Sequence, residues 1–207
     1  MSTILCFGDS NTWGYDAETL GRFPADVRWP CVLQAELGTG HRVIEEGLNG
    51  RTTVHDNPLD PYRNGRDYLI PCLESHAPLD AVVIFLGTND LADRFSLPPL
   101  DIATGAALLA EIALKSENAE AGPPHVLLLG LPRLGDMSAY ADTHAGAAAK
   151  SAELPRCFRL AAEEVGVPLL DLSETVAYAD LDGIHLDADG HRTVGLAVAQ
   201  ALRNVLD

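Results

Sequence analysis

The sequence predicts a three-layer α/β/α sandwich built around a five-stranded parallel sheet. Five short apolar runs have the length and β-branched content of strands that are buried on both faces. Helical segments alternate with these runs along the chain, which is typical of a parallel sheet. The chain has 207 residues, 47% of them hydrophobic, which is enough for one well-buried core. We therefore expect a single domain over residues 1–207.

The predicted strands are apolar runs that end at turn-forming residues. The clearest run is AVVIFL at residues 81–86, and the weakest is the pair Val43 and Ile44. Cys6 lies in the first run, where we interpret it as a packed thiol rather than a nucleophile. The five runs occupy residues 4–7, 43–44, 81–86, 126–131 and 167–172.

The remaining periodic segments predict helices at residues 29–37, 101–116, 145–165 and 187–206. Asp101 is the expected N-cap of the second helix, and the last helix has apolar residues at helical spacing. The sequence also predicts long loops at residues 11–30, 52–71 and 132–143. Loops of this length usually carry function or subunit contacts, so we expect a homo-oligomer.

The charge balance excludes several classes of partner. Thirty acidic and 14 basic residues give a formal net charge of −16, so neither a nucleic-acid footprint nor a polybasic membrane patch is predicted. A surface this acidic repels anions and favours neutral substrates. No apolar run is long enough to span a membrane, and the N-terminus lacks the positive segment of a signal peptide. The four cysteines are scattered, and we expect a reduced, cytoplasmic protein.

Polar residues and glycines follow four of the predicted strands. Ligands of an open parallel sheet bind beyond the carboxyl ends of its strands, so we expect these residues to share one edge of the sheet. They form the segments Gly8-Asp9-Ser10-Asn11, Gly47-Leu48-Asn49-Gly50-Arg51, Gly87-Thr88-Asn89-Asp90 and Asp182-Gly183-Ile184-His185.

These residue types suit acyl transfer, which needs a nucleophile, a base, an orienting carboxylate and donors for an oxyanion. Ser10 supplies a hydroxyl, and His185 supplies an imidazole. Asp182 lies three residues before His185, so one turn can bring its carboxylate to the ring. The oxyanion donors are expected to be the side-chain amide of Asn89 and the backbone N–H groups of Gly50 and Ser10.

In this order, the segments with Ser10, Gly50, Asn89 and Asp182-x-x-His185 resemble the four blocks of the SGNH/GDSL hydrolase family. Further stretches are similar to its bacterial arylesterase/acyltransferase branch, at residues 22–23, 26–29, 45–48, 50–53 and 60–61. The resemblance implies a flavodoxin-like fold and ester hydrolysis without metal or cofactor. It implies a Ser10–His185–Asp182 triad, with Ser10, Gly50 and Asn89 as the oxyanion hole. It also implies short-acyl ester substrates, acyl transfer to alcohols or peroxide, and a homo-oligomer.

Four neighbours of the expected triad are candidates for the walls of a substrate pocket: Asn11, Trp13, Tyr15 and Ile184. Arg51 is expected to pair with a carboxylate in the loops. The acidic run at residues 180–189 lacks the terminal glutamate of a calcium loop, and the histidines outside the triad show no ligand spacing, so no metal is predicted. GxGxxG and Walker A motifs are absent from the sequence, so nucleotide binding has no support.

Other interpretations of the four blocks stay open at the level of sequence. Ser10 could cap a helix, since Gly-Asp-Ser is a natural turn. A carbohydrate O-deacetylase would use the same catalytic residues, and it should show exposed aromatic rings and polar donors beside His185. A catalytically silent α/β binding module is the third possibility, against which the intact set of Ser10, Asn89, Asp182 and His185 argues.

Overall fold

The computed structural model describes residues 1–118 and 122–206 and contains a central sheet of five parallel strands. These strands are β1 (Ser2–Gly8), β4 (His41–Gly47), β5 (Ala81–Phe85), β6 (His125–Gly130) and β7 (Leu169–Asp171). Their order in the sheet is β4-β1-β5-β6-β7, which places the first strand between the second and the third, as in flavodoxin-like folds. A short antiparallel hairpin lies outside the sheet and joins β2 (Tyr15–Asp16) to β3 (Gly21–Arg22).

Helices cover the sheet in two groups. The helices are α1 (Ser10–Trp13), α2 (Trp29–Leu37), α3 (Gly65–His76), α4 (Pro99–Leu114), α5 (Ala147–Val165) and α6 (Ala188–Leu206). The helix α2 packs on α6, while α4 packs against both α3 and α5. The predicted three-layer α/β/α sandwich with five parallel strands is confirmed.

The core lies on both sides of the two central strands. Residues 4–7 of β1 and the whole of β5 are at most 1% exposed, which accounts for the continuous apolar runs in the sequence. The ring of Trp29 from α2 meets Phe85 of β5 edge to face. Cys6 is fully buried in β1, as predicted. None of the helices within the described residues is long and apolar enough to cross a membrane.

The helix α3 corrects the prediction of a continuous loop at residues 52–71. Asn64 caps this helix by accepting a hydrogen bond from the backbone N–H of Arg66, and Pro71 lies inside the helix. Pro71 removes one backbone donor and so disfavours a helix at this position. Burial of Leu69, Cys72 and Leu73 on the core side stabilises the helix despite that loss.

Two further predictions need correction. The stretch 11–30 contains most of α1 and both strands of the hairpin, rather than loop alone. The helix α4 begins at Pro99, so Asp101 lies in its first turn and is not the N-cap. Proline suits the first helical position because its missing N–H has no partner there, and Asp101 still interacts favourably with the helix dipole.

Candidate active site

A chain of hydrogen bonds joins three residues from distant parts of the sequence. The hydroxyl oxygen of Ser10 lies 2.9 Å from Nε2 of His185. The Nδ1 atom of His185 lies 2.6 Å from Oδ2 of Asp182. All three residues are at most 7% exposed. A hydroxyl, an imidazole and a carboxylate in this order can activate the hydroxyl oxygen as a nucleophile.

Close packing at the end of β1 sets the position of Ser10. Ser10 is the first residue of α1, and Asp9 caps that helix by accepting a hydrogen bond from the N–H of Asn11 at 2.9 Å. Gly8 and Gly47 pair at the ends of β1 and β4. A Cβ atom on Gly47 would lie 2.1 Å from the backbone nitrogen of Trp13, so only glycine lets α1 approach the sheet this closely.

The loop before α6 orients the imidazole. The Oδ1 atom of Asp182 accepts hydrogen bonds from the backbone N–H groups of Ile184 and His185, which leaves Oδ2 for the ring. Burial raises the pKa of Asp182, but the hydrogen bond to His185, the electrostatic interaction with that ring and the two backbone donors outweigh it. The pKa of Asp182 therefore lies below its ordinary value, and the carboxylate stays ionised beside the imidazole.

The expected oxyanion donors lie on the same cavity as Ser10 and His185. This cavity has a volume of about 390 Å³, and both Gly50 and Asn89 line it. Gly50 has a φ of +76°, a conformation that favours glycine. The Nδ2 atom of Asn89 donates to the backbone oxygen of Arg51 at 3.0 Å and to Asp9 at 3.3 Å, which fixes the amide group at the cavity wall.

Two buried carboxylates support these loops. Asp90 accepts hydrogen bonds from the backbone N–H and the hydroxyl of Thr53, and so ties the strand end of β5 to the segment after Gly50. Burial raises the pKa of Asp90 to about 6 and the pKa of Asp9 to about 6. Asp9 holds the turn after β1 by capping α1, and no pattern in the sequence indicates the contact between Asp90 and Thr53.

The structure brings only two of the four predicted pocket residues to the cavity. Tyr15 and Ile184 line it, and the ring of Tyr15 lies 4.5 Å from that of His185. Asn11 does not line it, because its side chain is buried and bonded to the backbone on either side of His185. Trp13 also lies outside the lining residues, and its ring stacks beneath the guanidinium of Arg22.

Several cavity residues were not identified from the sequence. They come from predicted loops and from the segment after β5, where only loop position could have pointed to them. These residues are Arg94, Tyr140, Thr143 and His144, whereas Asn49 belongs to the polar segment that was predicted after the second strand.

Arg51 behaves differently from the expectation that it pairs with a carboxylate. Its guanidinium donates to the backbone oxygens of Gly8 and Glu46 and lies 4.1 Å from the centre of the Phe7 ring. Arg51 thus connects the ends of β1 and β4 beneath the loop that carries Gly50. This role is structural, since Arg51 is 2% exposed and is not among the residues that line the cavity.

Comparisons with known proteins identify a family and several similar structures. The family model for GDSL-like lipases and acylhydrolases matches residues 6–193. The chain is 40% identical to an aryl esterase of M. smegmatis, with a TM-score of 0.93 and 100% of each chain covered. It is 35% identical to Est24, a carbohydrate acetylesterase from Sinorhizobium meliloti, with a TM-score of 0.94 and 100% of each chain covered. A search of curated protein sequences finds no match.

Proposed function

The chain belongs to the GDSL-like lipase/acylhydrolase family and is a carboxylic ester hydrolase, and we propose that it cleaves small, neutral short-acyl or aryl esters through an acyl-serine intermediate. One observation carries this proposal: the hydrogen-bond chain from Ser10 through His185 to Asp182 ends at a cavity that Gly50 and Asn89 also line. The net charge of −16 disfavours anionic esters.

The proposed reaction begins when the Ser10 oxygen attacks the ester carbonyl carbon and His185 Nε2 takes the hydroxyl proton. Asp182 stabilises the imidazolium that forms. The carbonyl oxygen gains negative charge and is stabilised by the backbone N–H groups of Gly50 and Ser10 and by the Asn89 amide. For this, Asn89 would exchange its longer bond to Asp9, at 3.3 Å, for one to the oxyanion. Collapse of this intermediate breaks the bond to the alcohol oxygen, which receives the proton from His185. Water then attacks the acyl-serine in the same way and releases the acid.

Acyl transfer follows if another nucleophile replaces water in the second half of the reaction. An alcohol or a peroxide that enters the cavity would give its proton to His185 and take the acyl group from Ser10. The cavity wall contains the aromatic ring of Tyr15 and the side chain of Ile184, which favour an organic acceptor over bulk water. A product analysis with and without added alcohol measures this partition.

A carbohydrate O-deacetylase is the second candidate, and the rim of the cavity favours it. Two tyrosines, Tyr15 and Tyr140, stand beside polar donors on the lining of the cavity. This is the combination of aromatic rings and donors that a sugar site requires. The similarity to Est24 agrees with this candidate. An ester panel that compares aryl acetates with acetylated sugars separates the two, since the enzyme should prefer one class by kcat/KM.

Association into a homo-oligomer is also part of the proposal. The loop that precedes α3 exposes Leu59 at 78% and Tyr62 at 91%, and apolar side chains of this size are suited to a subunit contact. A contact between apolar side chains keeps unpaired carboxylates out of the interface. Two copies of a chain with a net charge of −16 would otherwise bring like charges together there. Sedimentation at micromolar concentration tests it, because a mass near 22.1 kDa would rule it out.

The hydrolysis of p-nitrophenyl acetate tests the proposed function directly. Ser10→Ala should lower kcat by several orders of magnitude and retain the fold. Ser96→Ala is a suitable control, since Ser96 is exposed and its hydroxyl donates to the backbone oxygen of Asp93. If Ser10→Ala keeps most of the wild-type activity, the proposed mechanism is wrong.

A further inference from the structure

A second group of reactive side chains lies near Arg51 and outside the cavity of Ser10. Cys72 and His76 are four residues apart on α3, so both side chains lie on one face of that helix. They face Glu46 near the end of β4. The thiol sulfur, an imidazole nitrogen and a carboxylate oxygen all lie within 4.8 Å of one another.

We propose that Glu46, Cys72 and His76 bind a zinc-class transition metal ion at a site separate from the catalytic centre. His76 was among the histidines for which no ligand spacing was predicted, although Cys72 lies four residues before it. The third ligand comes from a strand 26 residues earlier in the chain than Cys72, which no local pattern would reveal.

The donor set selects the metal. A thiolate, an imidazole and a carboxylate are the usual ligands of Zn²⁺, whereas Mg²⁺ and Ca²⁺ take oxygen ligands. Tetrahedral zinc with Zn–S near ~2.3 Å and Zn–N or Zn–O near ~2.1 Å separates its ligand atoms by about 3.3–3.6 Å. His76 Nε2 and Glu46 Oε1 are already 3.0 Å apart, so small side-chain movements would suffice.

The fourth coordination position has room for a water molecule. A cavity of about 540 Å³ adjoins the site and is lined by Glu46, Arg51 and Tyr68, among other residues. The hydroxyl of Tyr68 lies 3.3 Å from the second carboxylate oxygen of Glu46, where it can orient this ligand. Carboxylates that bind metals are commonly oriented by a hydrogen bond from a residue that does not itself bind the metal.

Two of the three ligands are anionic in the metal-bound form, and the guanidinium of Arg51 adds one positive charge nearby. Cys72 is 2% exposed, and a thiol must lose its proton to bind a metal. A divalent ion would displace this proton to solvent and form a metal–sulfur bond. The thiolate and the carboxylate of Glu46 together neutralise the two charges of the ion. Arg51 keeps its own partners, the backbone oxygens of Gly8 and Glu46.

Such a site would fasten α3 to β4. The two elements flank the segment that contains Gly50. Without a metal, hydrogen bonds that Glu46 of β4 accepts from Tyr68 and His76 of α3 connect them. Because the metal binds the folded chain, it should raise thermal stability in proportion to the logarithm of its concentration. The Ser10 cavity has no residue in common with the three ligands.

Cobalt(II) is the probe that tests the site, because thiolate coordination gives it a charge-transfer absorption in the near ultraviolet. The full-length, chelator-treated protein without a histidine tag should bind one Co²⁺ per chain with this absorption, and Zn²⁺ should remove it by displacement. Cys72→Ala should abolish the absorption. Cys157→Ala is the matched control, since Cys157 is also a buried thiol on a helix. Ser10→Ala and His185→Ala should bind Co²⁺ as the wild type does.

The proposal is overturned if the wild type shows no charge-transfer absorption or if Cys72→Ala retains it. If Cys72→Ala fails to fold, Glu46→Gln replaces it as the test. Loss of this ligand should weaken binding by more than the ~10–100-fold that removal of an outer-shell partner costs. Zinc should also raise the Tm of the wild type but not that of His76→Gln. An equal shift in both proteins would contradict the site.

Discussion

The side chain of Asn11 holds the backbone on both sides of His185. Its Nδ2 donates to the oxygen of Ile184 at 3.1 Å, and its Oδ1 accepts the N–H of Leu186 at 2.9 Å. Asn11 directly follows Ser10, so the residue next to the proposed nucleophile positions the proposed base. The distance of 2.9 Å between Ser10 and His185 depends on this pair of bonds.

The first prediction concerns this clamp. Asn11→Ala should lower kcat by about 100-fold, the effect expected when a catalytic group is misplaced by ~1 Å. It should also reduce the free energy of unfolding by about 1–3 kcal/mol, because buried backbone groups lose their partners. The measurements are ester hydrolysis and urea unfolding.

Asn118→Ala provides the matched control for the clamp. Asn118 is also buried, and its side chain bonds to the N–H and the oxygen of Leu79, away from the cavity. This variant should lose similar stability and keep its kcat. Equal losses of kcat in the two variants would show that Asn11 acts only through general stability.

The second prediction concerns Asp182. Asp182→Asn should lower kcat on the order of 10⁴-fold, since the amide neither fixes the ring tautomer nor stabilises the imidazolium. The exposed Asp180→Asn removes the same charge from the same loop and should leave kcat within a factor of about two. A small effect of Asp182→Asn would mean that His185 does not depend on this carboxylate.

The third prediction concerns the oxyanion donors. Asn89→Ala should lower kcat by about 10²–10³-fold with little change in KM, because the amide acts on charge that develops in the transition state. Asn89→Asp keeps the size of the side chain but turns a donor into an anion, and it should lose at least as much activity. If either variant changes KM alone, Asn89 binds the ground state instead.

The fourth prediction is a dependence of stability on pH. The pKa of Asp90 in the folded protein is about 6, above the ordinary value of 3.8, so the folded state binds more protons between these pH values. The contribution of Asp90 to the free energy of unfolding is therefore greatest below pH 3.8 and falls as the pH rises to about 6. The loss is about 3 kcal/mol at most, from ~1.4 kcal/mol for each pKa unit.

Urea unfolding between pH 4 and pH 7 measures this effect. Asp90→Asn stays neutral and can still accept the N–H of Thr53, so its curve should be flatter than that of the wild type. The exposed loop residue Asp26 provides the control, and Asp26→Asn should leave the slope unchanged. Identical slopes for Asp90→Asn and the wild type would contradict the raised pKa of Asp90.

The sequence was informative where a short pattern determines the structure. The strands β1 and β5 are buried on both faces, so their apolar runs were visible, and the parallel sheet then placed Ser10, Asn89 and His185 at one edge. The helix α3 was missed because Pro71 disfavours a helix locally. Burial of one helix face in the folded chain offsets this cost, and the local sequence does not show that burial. Contacts between distant residues were also missed, such as those of Asn11 with Ile184 and Leu186. Hydrogen bonds of this kind leave no periodic signal.

Covalent labelling by an organophosphate tests the central claim most directly, because the reagent stops the proposed reaction at the nucleophile. Incubation followed by mass spectrometry of peptides should place one phosphoryl group per chain on Ser10, with loss of activity in proportion. His185→Ala should react far more slowly, because its Ser10 lacks a base. Label on a different residue, or full inhibition with Ser10 unmodified, would contradict the account.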